Sequence, residues 1–436
     1  MKRYDSYKDS GVEWIGEIPS HWDIIKLKFI GESIIGITYS PDDVVNEGKG
    51  ILVLRSSNIQ EGRLSFEDNV FVNKKIEKKY LTQKGDILVC ARNGSAHLVG
   101  KSAFINNEYE NLTFGAFMSI VRSDLGKFLF YFFNSQIFKA QTGLFTTSTI
   151  NQLTSDTLNN LFISTPCKEI EQTAIANFLD RKTVEIDQLI ADKKCLIELY
   201  EEEKTAIINQ AVTKGIDENV KLKDSGIEWL GEIPEHWEVK RLKYVANIQT
   251  GRTPHIQNSE LDYFDNGNIN WFTPSDISKN EELIESNRKI NSFAVTNNEV
   301  ELFNEFSVFL VSIGATIGKV GYSTTKASAN QQINIITFHE SIFYQLYGYY
   351  FFVAHKEMVK LEADYTTLPI LNQTKTKNLL IICPSLEEQQ SIVRKIETDC
   401  TCFDAKIVKT KKLIELLTEY RATLISEVVT GKIKII

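Results

Sequence analysis

The 436-residue chain has no stretch apolar enough to span a bilayer: its longest aromatic runs, Phe128 to Phe133 and Tyr347 to Ala354, fall far below the ~20 residues required. The amino-terminal MKRYDSYKDSG also lacks the apolar core of a secretory signal. A soluble, cytoplasmic protein with no membrane partner is expected. The six cysteines (Cys90, Cys167, Cys195, Cys383, Cys400 and Cys402) form no CxxC pair, which argues against a disulfide framework and a thiolate zinc site. Reduced, structural thiols and no bound metal are expected. The eight prolines include no adjacent pair, so the Asn/Asp-Pro-Pro-aromatic loop of an adenine methyltransferase is missing. A basic excess is missing too, since 49 Lys and Arg face 57 Asp and Glu for a net charge of −8. By segment the charge is 0 over 1–165, −4 over 166–222, −5 over 223–383 and +1 over 384–436. No segment is an autonomous polyanion binder, because phosphate neutralisation needs concentrated Lys and Arg.

What is present is ordinary globular composition, 42% hydrophobic and 24% charged, over a length that suggests two or more domains. The chain is also duplicated. KDSGVEWIGEIPSHWDIIKLKFIG at 8–31 returns as KDSGIEWLGEIPEHWEVKRLKYVA at 223–246, with 14 identities in 24 positions. A second pair, 171–213 and 388–430, shares 14 of 43 positions, so the intervening segments are nearly equal in length.

Each copy opens on two Trp, a Pro and a His: Trp14, Pro19, His21 and Trp22, then Trp229, Pro234, His236 and Trp237. This reads as a packed loop before a first strand. His21 and His236 have no carboxylate or cysteine at ligand spacing and read as structural. Short apolar runs bounded by Gly, Asn and Ser follow, such as ILVLRSSNI and GDILVCARNG, then FSVFLVSIG and INIITFHE, and predict strands. Each copy closes on one aromatic stretch expected as a single helix, GKFLFYFFNSQIFKAQ and ESIFYQLYGYYFFVAHKEMVKL.

After Pro166 and Pro384 the pattern changes. Ile175, Leu179, Ile186, Ile190, Ile197, Tyr200, Ile207 and Ala211 recur at three, four or seven residues, as do Ile392, Ile396, Phe403, Ile407, Ile414, Leu417, Leu424 and Val428. A stripe near 3.5 residues predicts two long coiled-coil helices of ~43 residues, packed antiparallel to bury their narrow seams. The expected fold class is α+β: two globular domains, 1–165 and 223–383, joined by helices in 166–222 and 384–436, with a pseudo-two-fold internal repeat.

Catalytic motifs do not survive a count of spacing. Gly94 to Gly100-Lys101-Ser102 approximates a phosphate-binding loop, but five residues separate the glycines where four are needed. Its counterpart Gly314 to Gly318-Lys319-Val320 has no Ser or Thr after the lysine. Asp192-Lys193-Lys194 and Asp404-Ala405-Lys406 lie within the helices and read as a solvated face. A non-catalytic chain is expected.

The duplicated GVEWIGEIPSHW opener and the Pro-Glu-Gln helix starts (Pro166 with Glu171-Gln172, Pro384 with Glu388-Gln389) resemble the specificity subunit of type I restriction-modification enzymes over essentially the whole chain. The resemblance implies two target recognition domains, each reading half of a bipartite sequence in double-stranded DNA. It also implies helices that dock two methyltransferase subunits, which would bind AdoMet while this chain binds no cofactor, and it leaves open two restriction/translocase subunits. The copies depart from each other where Gly85-Asp86 before a strand of the first becomes NEFSVF in the second. A two-headed protein scaffold or adaptor that touches no DNA remains the alternative.

Base readers should be polar side chains on loops after short strands, able to form paired hydrogen bonds with base edges. In the first domain these are Arg55, Ser57, Asn58, Arg92, Asn93, Thr147 and Ser148 within the polar run 146–149, Asn151 and Gln152. In the second they are Arg252, Thr253, Thr273, Ser275, Asp276, Asn330, Gln331, Gln332, Thr366, Asn372 and Gln373. Lys101 and Lys319 suit phosphate.

Overall fold

The computed structural model describes residues 2–143, 151–255, 262–277, 281–365 and 368–436. The chain divides into two compact units, Met1–Lys194 with Lys411–Ile436, and Cys195–Thr410. Each contains one head together with part of each long helix.

In the first unit Tyr7–Asp9 pairs antiparallel with Glu17–Pro19, and Trp22–Lys26 pairs with Phe162–Pro166, so the opener is tied to the strand that ends the head. A four-stranded sheet follows in the order Ser102–Phe104, Ile87–Cys90, Met118–Ser123, Gly31–Ile35. Its central strand is apolar at every position because both faces are covered. Ile87 and Val89 point to a core shared with Phe128, Phe132, Ile175, Leu179 and Leu424, whereas Leu88 and Cys90 face Leu52, Leu54 and Phe114 of a second sheet. In that second sheet Thr113–Phe114 runs parallel to Ile51–Leu54.

The second unit repeats this plan. Val320–Tyr322, Val308–Val311, Ile333–Phe338 and Ala246–Thr250 take the same sheet order, and Ser328–Ala329 runs parallel to Ile269–Phe272. Cys90 faces Met118 as Val311 faces Ile333, which fixes a residue-by-residue correspondence. The sequence divergence before this strand leaves the register intact. Phe306 adopts the positive φ of Gly85, 60° against 92°, so an aromatic residue occupies a backbone conformation that normally favours glycine.

The single aromatic helix expected in each head is two helices. Gly126–Phe133 breaks before Gln136–Gly143, because Asn134 Nδ2 folds back to Phe130 O at 2.9 Å and the Ser135 hydroxyl accepts from Phe138 N at 3.3 Å. Gln345–Ala354 breaks before Lys356–Leu361 at His355, whose ring Nδ1 reaches Phe351 O at 2.9 Å.

The long helices are Glu169–Lys214 and Leu386–Val429, unbroken over 46 and 44 residues. Every position of the 3.5-residue stripe is buried or half-buried, while Val184, Leu199, Val408 and Leu416, off the stripe, are exposed. Within the first unit Ser164 Oγ, just ahead of the first helix, donates to Val429 O, and farther along Asp187 takes Arg421 Nε at 2.7 Å, so the pairing is antiparallel. In the second unit Lys204 pairs with Asp404 and Lys214 lies beside Glu388 and Ser391, which gives the same sense. Tyr200 and Phe403 meet there with ring centroids 5.9 Å apart.

The helix ends explain the repeated opener. Gly215, at positive φ, lies against Trp237 in the second unit, and Gly431, also at positive φ, lies against Pro19 and Trp22 in the first. The first helix thus ends against the second opener and continues into it through 216–221. The second helix ends against the first opener, where Tyr7 Oη donates to Gly431 O at 3.1 Å and Lys434 N to Lys2 O at 2.9 Å.

Candidate nucleic-acid interface

In the first head the turn after Ile51–Leu54 is built on Asn58. Its Oδ1 accepts Arg55 N at 2.9 Å and its Nδ2 donates to Ser65 O at 2.9 Å. Asn58 is fully buried and holds the loop that presents Ser56 and Ser57. The Ser57 hydroxyl has no protein partner among the described residues. Arg55 is turned onto Asp68, 2.7 Å from its carboxylate. Arg92 and Asn93 follow the central strand. Arg92 forms a β-bridge with Gln152, and Leu153 N donates to Ala91 O at 2.7 Å. Asn93 Nδ2 reaches Ser56 Oγ at 3.2 Å and Asn151 Nδ2 reaches Gly94 O at 3.1 Å. Segments widely separated in sequence therefore converge, bringing Ser56, Arg92, Asn93, Asn151 and Gln152 together. Lys101 opens the next strand, its carbonyl accepting Cys90 N at 2.8 Å. Thr147 and Ser148, with the rest of 146–149, lie outside the described residues.

The second head makes the same turn with other side chains. Thr273 N donates to Asp276 Oδ2 at 2.7 Å as Arg55 N does to Asn58, and Asp276 Oδ1 also takes Asn287 N at 2.8 Å. Thr273 and Ser275 hydroxyls lie 2.7 Å apart. Exposed Thr253 donates to Gln331 Oε1, and Arg252 is within 4.0 Å of Glu301. Asn330 is buried and ties down Gln332, accepting its N–H at 3.0 Å and donating to Oε1 at 3.0 Å. Asn372 caps the helix Gln373–Asn378, accepting Lys375 N at 2.9 Å, and Gln373 Nε2 donates to Ile248 O at 2.7 Å. Lys319 O accepts Val311 N at 2.8 Å, the counterpart of the Lys101 bond. Thr366 lies outside the described residues.

Backbone bonds put the two loop clusters into correspondence. Leu371 N donates to Ser312 O as Leu153 N does to Ala91 O, and Ile313 bridges Ile370 as Arg92 bridges Gln152. Ser312 N donates to Gln332 O as Ala91 N does to Phe117 O. Gly251 N donates to Ile333 O as Gly36 N does to Met118 O, which aligns Ile37 with Arg252. One framework thus carries Arg55, Arg92, Phe117 and Gln152 in the first head, and Thr273, Ile313, Gln332 and Ile370 in the second. Phe117 was missed from sequence. It is 60% exposed, and the only trace it left was an aromatic residue in a small-residue turn, GAFMS, ahead of a strand.

The opener histidines, read from sequence as lacking a carboxylate, have one supplied by the fold. Buried Glu171, in the first turn of the long helix, accepts from Tyr4 Oη at 2.7 Å and Trp22 Nε1 at 3.1 Å, with His21 Nε2 at 3.0 Å. In the second unit Glu388 accepts Trp237 Nε1 at 3.2 Å and Ser385 N at 3.1 Å, with His236 Nε2 at 2.7 Å. Burial alone would raise the Glu388 carboxyl, but bonds from His236, Trp237 and Ser385 hold it below its ordinary range. The neighbouring Gln172 and Gln389 donate to Pro166 O and Pro384 O at 2.8 and 2.9 Å. The same bond forms in both copies despite the one-residue difference in spacing.

The glycine-rich 94–101 segment joins two antiparallel strands, with Gly100 N donating to Cys90 O, and Ser102 is buried within the second strand. A phosphate loop opens a helix instead. No group of three or more His, Cys, Asp or Glu among the described residues could hold a metal ion. No helix among them is long and apolar enough to cross a membrane.

Comparison with known proteins agrees with this architecture. The type I restriction modification DNA specificity domain matches twice, over 19–199 and 234–418. The MjaIX type I restriction enzyme specificity subunit of Methanocaldococcus jannaschii is 31% identical over 442 residues, covering 97% of this chain and 95% of its own length. The EcoKI specificity subunit of Escherichia coli is 27% identical over 238 residues, 52% of this chain and 48% of its own. Two solved structures share the fold. One, from a study of type I R-M assembly and conformational transition, has TM-score 0.67 at 14% identity, over 95% of this chain and 99% of the other. The other, the HsdS subunit of Thermoanaerobacter tengcongensis, has TM-score 0.56 at 13% identity, over 95% and 98%. The chain belongs to the type I restriction-modification DNA specificity family, as a target-recognising, non-catalytic subunit.

Proposed function

We propose that each head reads one half of a bipartite sequence in double-stranded DNA, and that the long helices dock two methyltransferase subunits to which up to two restriction/translocase subunits attach. AdoMet belongs to the methyltransferase partners, and the complex works in the cytoplasm. The observation that carries this reading is one loop framework built twice, with different side chains at equivalent exposed or half-buried positions. Two different half-sites require such a difference, whereas a symmetric adaptor for one kind of protein does not. The absence of a basic excess fits a subunit that selects sequence while partners supply phosphate contacts.

The test exchanges residues 223–383 for the equivalent head of a relative, in the complex with methyltransferase, and sequences the methylated sites of the host genome. One half of the target should change and the other should persist. Change in both halves, or methylation without a bipartite target, overturns the reading.

A further inference from the structure

We infer that Arg92, set over the exposed ring of Phe117, selects a guanine in the half-site of the first head, and that the second head, with Ile313 at that position, makes no such selection. The inference rests on the DNA reading above and adds the base class and the residue.

The first observation is charge. Arg55, Arg63 and Arg122 of this head are committed to Asp68, Asp187 and Asp86, at 2.7, 3.3 and 2.8 Å. Arg92 has no carboxylate within ion-pair distance among the described residues. It is therefore a cation at the loop cluster that the fold has not neutralised.

The second observation is geometry. The Arg92 guanidinium lies 5.3 Å from the Phe117 ring centroid. The backbone beneath is fixed twice, by Arg92 N donating to Phe117 O at 3.0 Å and by the bridge to Gln152. An aromatic face restricts the planar guanidinium without consuming its N–H donors, so the fork remains available for a base. Guanine presents O6 and N7 as adjacent acceptors in the major groove, the pattern such a fork matches. A phosphate would accept the same donors but needs no ring beneath them.

The third observation is the substitution across the repeat. At the same framework positions the second head has Ile313 for Arg92, Gln332 for Phe117 and half-exposed Ile370 for Gln152. An aliphatic side chain cannot hydrogen-bond guanine. The exchange therefore alters base chemistry while leaving the fold unchanged. Phe117 acts through Arg92 and is a positioning residue.

The experiment uses the full chain in complex with its methyltransferase. Exchange of 223–383 first identifies the half-site that persists, which belongs to the first head. That half-site should contain an invariant G·C pair. Arg92→Ala should relax that one pair and weaken binding to the G-containing duplex by about 10- to 100-fold, while duplexes substituted there lose little and the other half-site is unaffected. Arg92→Ile, which installs the second head's residue, serves as the second variant, since Arg92 is exposed and both should unfold at the wild-type midpoint. Phe117→Leu should lower discrimination at the same pair more than it lowers affinity for other duplexes. A persistent half-site without invariant guanine, an unchanged target in both Arg92 variants, or equal weakening on every duplex overturns the inference, the last by assigning Arg92 to phosphate. These failures leave a bipartite methylated target in place, whereas failure of the underlying reading removes it.

Discussion

Asp86 and Arg122 form a two-pronged ion pair across adjacent strands of the first head, with Asp86 Oδ1 to Arg122 Nε and Oδ2 to Nη2 both at 2.8 Å, and in the second head the same positions hold Ser307 and Thr337, hydroxyls 2.9 Å apart. Asp86 is 1% exposed. One framework therefore tolerates a buried charge pair or a neutral pair, because each satisfies its own donors and acceptors. Half of the charged pair is not tolerated: Arg122→Ala, leaving Asp86 buried and unpaired, should cost about 3–5 kcal/mol. The combined Asp86→Ser and Arg122→Thr exchange should cost much less. Urea unfolding midpoints of the three proteins check this, and an equal loss in single and double variants would refute it.

The carboxylate at the start of each long helix holds the opener to the helix. Glu171→Ala removes the acceptor of Tyr4 Oη and Trp22 Nε1, leaving two buried or half-buried donors unpaired, and should destabilise the first unit by about 3 kcal/mol. Trp22→Phe keeps most of the apolar volume and loses one bond, for about 1–2 kcal/mol. Chemical denaturation should rank the two in that order.

His355 gives the second unit an acid-sensitive point. Burial against Phe351 and Trp229 lowers its imidazole from the ordinary 6.5, so the folded state keeps it neutral. Below 6.5 the unfolded chain takes up the proton first, and stability falls with pH until the folded value is reached. His355→Gln should therefore narrow the stability difference between pH 7.5 and pH 5.5. Guanidinium midpoints at the two pH values decide this, and an unchanged difference would place the acid sensitivity elsewhere.

The chain ends meet where the second unit has a covalent loop. Joining Ile436 to Lys2 by a short polar linker and opening the chain within 216–221 should give a protein with the parent's helix content. Its unfolding midpoint should lie close to the parent's, since Gly431 already rests on Pro19 and Trp22 and Lys434 already bonds to Lys2. Circular dichroism and thermal unfolding provide the measurement. A permutant that fails to fold would mean that the 216–221 connection is needed for more than continuity.

The duplication, the two long helices and the strands were legible in the sequence, because each is written in local periodicity: 3.5 residues for the helix seam, short apolar runs for strands covered on both faces. The stripe from Ile175 to Ala211 is buried or half-buried throughout for that reason. Breaks in the aromatic helices were not legible, since single side chains, Asn134 and His355, decide them by competing for backbone bonds.

Most of the loop cluster could be nominated by residue type, but its geometry could not. Which loops converge depends on hydrogen bonds between residues far apart in sequence, such as Asn93 to Ser56, and no local pattern records them. The carboxylate that receives both His21 and Trp22, that of Glu171, lies about 150 residues away on a helix start, beyond any spacing rule. The sequence alone determined that the chain is one plan used twice and that it lacks catalytic motifs. Only the tertiary structure decided which positions of the two copies are equivalent, and so that Arg92 stands where Ile313 stands, because strand register is set by long-range pairing rather than by residue identity.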